Sequence, residues 1–263
     1  VKINQEIAQI KGLRNMYVFP HMADGGIPYG SAALAYFEKK RISKVKFDNM
    51  YSGLEFTELE IKKSILKSKK LIKFKKLKNK STYVAKQLIN KKIIGIFNGK
   101  MEYGPRALGN RSILANARDK KINVWLNKRL NRTEFMPFAP VTTIENAKKC
   151  YKNWNKKQIA SKFMTRTYDC TKKFIKDHQA VVHVDGTARP QIISKNDNKS
   201  YYNILKAYCK KSGDLALINT SFNLHEEPIV CFPSDAIKSL LKKAIDILII
   251  GDFCVILKEN NFD

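Results

Sequence analysis

The sequence predicts an α/β protein built on a twisted, largely buried sheet, and three observations carry that expectation. Short apolar runs at Ile93-Ile94-Gly95-Ile96-Phe97, Leu215-Ala216-Leu217-Ile218-Asn219 and Asp246-Ile247-Leu248-Ile249-Ile250 have the length and β-branched content of buried strands. Segments with helical spacing alternate with such runs from residue 81 to residue 263. The chain has 263 residues, 44% of them apolar, which suffices for a sizeable core. No apolar run approaches the ~20 residues of a membrane span.

Taken in order, residues 1–40 read as the end of one unit. An amphipathic stretch leads to Met16-Tyr17-Val18-Phe19-Pro20, then to the turn-rich Ala23-Asp24-Gly25-Gly26-Ile27-Pro28-Tyr29-Gly30 and a small-residue helix from Ser31 to Phe37. Glycines entering a helix N-terminus mark phosphate sites, although Asp-Gly-Gly is also a common turn. Residues 41–80 read as a connector, helical and lysine-rich around 58–78, with a domain boundary between 40 and 80. Its alternating Ile/Leu and Lys suit an exposed amphipathic helix. Ser81-Thr82 reads as the cap of a helix to about Asn90, ahead of the strand 93–97. A helix near 119–132 precedes a proline-interrupted strand, Phe135 to Val141, and His183 to Arg189 reads as a strand ending in a turn. A helix near 200–211, the strand 215–219, a helix from Ser234-Asp235 and the strands 246–250 and 253–257 complete the alternation.

The net charge of +27 would suit a nucleic acid or an anionic membrane. Most of it is lysine spread over polar faces, as an A/T-rich coding sequence yields, so it says little. Arginine is scarce, and Arg106, Arg111, Arg118, Arg129 and Arg132 fall close together, which suits bidentate oxyanion binding. The five cysteines are dispersed without C-x-x-C spacing, which argues against a disulfide framework or zinc site and fits a cytoplasmic setting. Val1-Lys2-Ile3-Asn4 holds neither an initiator methionine nor an apolar signal region, as in a chain processed, trimmed or taken from something longer.

Four loops carry residues suited to chemistry, most of them at strand ends where α/β sheets bind ligands. In the loop 99–114, Arg106 and Arg111 would clamp phosphate while Ser112 and glycine amides cradle it; structural arginine pairs and turn glycines are the alternative. Asn127 to Arg132 presents basic residues, including Arg129 and Arg132, on a helix that would otherwise be a solvated face. Asp185-Gly186-Thr187-Ala188-Arg189-Pro190-Gln191 places Arg189 in a rigid frame, set for a ligand or for an internal acid. Asn219, Ser221 and Asn223, in Asn219-Thr220-Ser221-Phe222-Asn223, would hydrogen-bond a small planar group such as a carbamoyl, or merely cap the turn.

Gly99 to Leu114, Pro137-Phe138-Ala139-Pro140, His183 to Gln191, Asn219 to Asn223 and Asp246 to Gly251 occur in one order. In that order they closely resemble the carboxy-terminal half of the O-carbamoyltransferases of nodulation-factor and antibiotic biosynthesis. The resemblance implies a YrdC-like twisted sheet with flanking helices over 81–263, preceded over 1–40 by the end of an actin-like ATPase-type transfer domain. It implies carbamoyl adenylate formation from carbamoyl phosphate and ATP with Mg2+, followed by carbamoyl transfer to an acceptor hydroxyl. The roles implied are catalysis for Arg106, Arg111 and Arg189, and substrate binding for Arg129, Arg132, Ser112, Asn219, Ser221 and Asn223. Gly25, Gly26 and Gly30 would contact nucleotide. Asp24 would be a ligand to the Fe2+ of a complete transfer domain, whose His-x-x-x-His pair this sequence lacks; a separate chain would then supply the missing part. Asn131 stands where the family often has a basic residue, and Glu226 where it usually has glycine. Two other functions stay open on the residues: threonylcarbamoyl-adenylate synthesis for tRNA modification, and a basic RNA-binding module without turnover. The sequence has no RNA-recognition aromatic motif, and neither RNA nor membrane is an expected partner.

Overall fold

Alternation within the apolar runs decides the architecture. Ile94 and Ile96 point to one face of the sheet and Ile93 and Phe97 to the other; Ile247 and Ile249 oppose Leu248 and Ile250 in the same way. With both faces apolar, the strands have to be covered by helices on both sides. The computed structural model describes residues 1–13, 16–22, 24–41, 49–131 and 138–262.

The amino-terminal part gives α1 (Lys2–Ile7), α2 (Gly26–Lys40), α3 (Glu58–Lys67), β1 (Ile72–Lys76) and α4 (Lys80–Ile89). The middle gives β2 (Ile94–Phe97), β3 (Arg111–Asn116), α5 (Lys121–Arg129), β4 (Ala139–Thr143), α6 (Ala147–Cys150), β5 (Tyr168–Asp169) and α7 (Lys172–Asp177). The remainder gives β6 (Thr187–Ala188), β7 (Gln191–Ile193), α8 (Lys199–Ser212), β8 (Ala216–Ser221), α9 (Pro233–Leu241), β9 (Ile247–Ile250) and β10 (Phe253–Leu257). Eight strands form one mixed sheet in the order β1-β10-β9-β2-β3-β8-β4-β7, with β2–β9 and β4–β7 parallel. Helices α4 and α8 cover one face through Val84, Leu88, Ile204 and Leu205. Helices α3, α5 and α9 cover the other through Ile61, Ile65, Leu126, Ile237 and Leu240. The α/β class and the covered sheet are as the sequence predicts.

Several details differ. The stretch 58–78 is not one helix: α3 ends at Lys67, and Ile72-Lys73-Phe74-Lys75-Lys76 pairs antiparallel with β10. Its period of two puts Phe74 against Phe253 while lysines line the exposed edge, which blunts edge pairing. The sheet therefore begins within the expected connector. Asn79, not Ser81-Thr82, caps α4: its side chain accepts from Thr82 N at 3.0 Å. Residues 183–187 form a tight turn ahead of β6, closed by His183 N donating to Thr187 O at 2.7 Å, so no strand precedes it. Gly26 and Gly30 lie inside α2, not in a loop before it. Arg132 and the Phe135-Met136-Pro137 part of the expected proline strand lie outside the described residues. All five cysteines are free. Among the described residues no helix is long and apolar enough to cross a membrane.

Candidate oxyanion site

The loop between β2 and β3 is organised by an acid. Glu102 is buried, and its Oε1 accepts from Leu108 N at 2.7 Å, Asn110 N at 2.8 Å and Arg111 N at 3.2 Å. Ser112 Oγ accepts from Gly109 N at 2.9 Å. Gly109 N is among the glycine amides that the sequence reading offered to a phosphate, and the protein's own oxygens already occupy it and its neighbours. Gly109 has φ +115, and a Cβ there would lie 2.2 Å from the Tyr201 ring, so only glycine fits where the loop crosses α8.

Arg111 belongs to the same scaffold, not to an open site. It is fully buried, with Nη1 donating to the carbonyls of Asn98 at 2.9 Å, Gly99 at 3.2 Å and Asn110 at 3.0 Å. Nη2 donates to Leu54 O at 3.2 Å, and the guanidinium lies 3.6 Å over the Phe97 ring. Ser112 and Arg111 thus shape the loop. Arg129 is elsewhere, paired with Asp246 at 2.8 Å and lying against Trp125. Asn223 closes its own turn through Glu227 O at 2.7 Å.

The remaining candidates converge. Arg106, Arg189, Asn219, Thr220, Ser221 and Met164 line one cavity of about 100 Å³ at the ends of β3's loop, β4 and β8. Among the described residues neither arginine has an acidic partner. Burial lowers the Arg106 guanidinium from its usual range, and burial with the like charge of Arg106 pushes Arg189 down to about 10. Two partly desolvated cations facing one small space are unfavourable until an anion joins them.

Asn219 adds direction. Gln191 Nε2 donates to Leu108 O at 2.9 Å, which fixes Gln191 Oε1 as acceptor for Asn219 Nδ2 at 2.8 Å. The same Nδ2 donates to Ala107 O at 3.0 Å. Asn219 Oδ1 is left buried without a partner. Gln191, Thr220 and Met164 escaped the sequence reading as site residues. A polar Gln191 beginning an otherwise apolar strand was the available signal.

The glycine-bearing segment near residue 25 sits against this loop. Tyr103 Oη donates to Gly25 O, and the Tyr103 ring meets His21 at 4.8 Å and Tyr29 at 6.3 Å. A Cβ on Gly25 would lie 2.2 Å from His21 Nε2, so this glycine serves close packing, while Gly30 is open to solvent. Asp24 is exposed, and no group of three His, Cys, Asp or Glu that could hold a metal stands together among the described residues. Asp24 would therefore be a lone contribution to the implied iron centre, and the described residues do not hold that metal by themselves.

Fold and site together define an α/β protein in which Arg106, Arg189 and the Asn219 amide line one small cavity. The chain belongs to the carbamoyltransferase C-terminus family, whose model matches residues 85–257. It is 37% identical over 260 residues to MJ1051 of Methanocaldococcus jannaschii, covering 97% of this chain and 48% of that protein. Nodulation protein NolO of Bradyrhizobium diazoefficiens is 31% identical, covering 92% and 44%. The 3'-hydroxymethylcephem-O-carbamoyltransferase of Streptomyces clavuligerus is 26% identical, covering 95% and 45%. The chain spans about half the length of the curated relatives it matches.

Proposed function

We propose that this chain binds carbamoyl phosphate between Arg106 and Arg189 and forms carbamoyl adenylate within an O-carbamoyltransferase. Water cleaves carbamoyl phosphate to carbamate and inorganic phosphate, and a carbamate oxygen then attacks the α-phosphorus of ATP as pyrophosphate leaves. The observation that carries the reading is the pairing, in one cavity, of two arginines without acids and the unpartnered Asn219 Oδ1. Carbamoyl phosphate offers both complements: phosphate oxygens for the two guanidinium forks and an amide NH2 for the Asn219 oxygen. Ser221 and Thr220 flank the same space as further polar contacts.

Catalysis in this reading is positional and electrostatic. The two arginines neutralise the repulsion between phosphate groups as ATP approaches, and the buried amide network holds the carbamoyl plane fixed. Mg2+ would enter with the nucleotide phosphates and offset their charge. We assign transfer onto the acceptor hydroxyl to a region matching the rest of the relatives, on the same polypeptide or a separate chain. Gly25 and Gly26 would then bring that region against Tyr103, in a cytoplasmic enzyme.

The test is pyrophosphate release from ATP by the purified chain with and without carbamoyl phosphate. Release that needs both substrates and falls at least a hundredfold in Arg106→Gln or Arg189→Gln supports the reading. Release indifferent to carbamoyl phosphate, or unchanged in both variants, overturns it.

A further inference from the structure

A third arginine without a described acid lies on the far side of one short segment. Met164 lines the cavity described above, and Arg166, two residues on, lines a different one of about 390 Å³. Arg166 is 9% exposed, and its Nε is fully enclosed with no hydrogen-bond partner. Its one described contact of note is the Tyr168 ring, 4.6 Å from the guanidinium carbon. No described carboxylate pairs with it.

The surroundings hold Arg166 in place without satisfying it. Thr165 N and Oγ1 both donate to Ala160 O at 3.2 Å, and Asn4 Nδ2 donates to Thr165 O at 2.7 Å. Asn155 Oδ1 accepts from Lys157 N at 3.0 Å and Gln158 Oε1 from Asn155 N at 3.3 Å, so that rim is shaped by its own side chains. Lys157 lines the cavity as a second, exposed cation, while Leu13 and Met16 give it an apolar wall. A guanidinium with its Nε enclosed and no acid beside it is short of partners, whereas an oxyanion in the cavity would supply charge balance and hydrogen bonds to the rest of the fork.

We infer that the cavity of Arg166 and Lys157 binds a second oxyanion, a phosphate or carboxylate on a small molecule with an apolar end, independently of Arg106 and Arg189. The fixed guanidinium selects an oxyanion, an inorganic one included, over a neutral sugar, and the apolar wall adds affinity for one that carries an apolar end.

Equilibrium dialysis of the full chain against labelled inorganic phosphate, at about 0.15 M salt to screen the surface lysines, tests it. The expected result is two saturable equivalents. Arg166→Met should remove one, Arg106→Gln with Arg189→Gln the other. A single equivalent in the parent protein, or two retained in Arg166→Met, would overturn the inference. Should Arg166→Met fold poorly by circular dichroism, Lys157→Glu on the exposed rim decides: a tenfold or greater weakening of one equivalent supports the site, and unchanged binding sinks it. Butyrate displacing phosphate from the Arg166 equivalent alone identifies a carboxylate ligand. Displacement by butyl phosphate but not butyrate identifies a phosphate ester. Failure of both to displace it overturns the apolar end.

Discussion

Arg111 and Arg189 have lost much of their water, and burial pushes both guanidinium groups down to about 10. They keep opposite company. Arg111 spends its two terminal nitrogens on four backbone carbonyls, stacks on Phe97 and is opposed in its shift by Glu102. Arg189 has no described acid, and the nearest charge, Arg106, pushes it further the same way. One fork is closed by the chain and the other is left open. Residue type and the direction of the shift are the same for both, and although Arg111 is fully buried and Arg189 half-buried, it is the inventory of partners that separates a strut from a binding group.

The comparison can be broken at several points. The largest effect is expected on the closed side: Arg111→Met should destabilise the protein by about 3–5 kcal/mol, since it orphans buried carbonyls and leaves Glu102 without its cation. Urea unfolding measures this, and a loss under about 1 kcal/mol would mean that the carbonyl cage is dispensable. On the open side the outcome should invert. Arg189→Gln should shift stability by less than about 1 kcal/mol while weakening phosphate affinity by about 1.5–3 kcal/mol, read by dialysis. A large stability loss with intact binding would erase the distinction between the two arginines.

A third test moves to another buried titratable group. His178 Nε2 accepts from Leu215 N at 3.1 Å, so the ring is held neutral, and burial lowers its affinity for a proton. The unfolded chain takes up that proton below about pH 6.5 and the folded chain does not, so stability should fall as pH drops from 6.5, by up to about 1.4 kcal/mol per unit. In His178→Gln, which keeps an acceptor and cannot titrate, that part of the slope should vanish in urea titrations at pH 7.5 and 5.5. The smallest expected effect is a gain. Glu226 has φ 63, in the left-handed region that favours glycine. Glu226→Gly should therefore stabilise by about 0.5–1 kcal/mol and raise the melting temperature by about 2 °C.

Much of the fold was legible because the buried strands are short, continuous apolar runs rich in β-branched residues. The exception, β1, was hidden because Lys73, Lys75 and Lys76 read as a solvated helix face, whereas an edge strand tolerates the same charges. In the site, sequence order alone pointed to Arg106, Arg189, Asn219 and Ser221, and the structure brings these four to one cavity. It pointed equally to Arg111, Ser112 and Arg129, which serve neighbours instead, because hydrogen bonds to carbonyls far along the chain leave no mark in the local sequence. Asn131 is a related case. At φ 56 it follows the last turn of α5 in the left-handed region that asparagine tolerates, so its place is set by the backbone of the helix end.

Glu102 has a consequence for kinetics. Because a resident carboxylate already fills the amide nest of the 102–111 loop, the loop has its working shape before any ligand arrives. Association should then follow a single encounter, with an observed rate that climbs linearly with ligand concentration and shows no plateau from a preceding rearrangement.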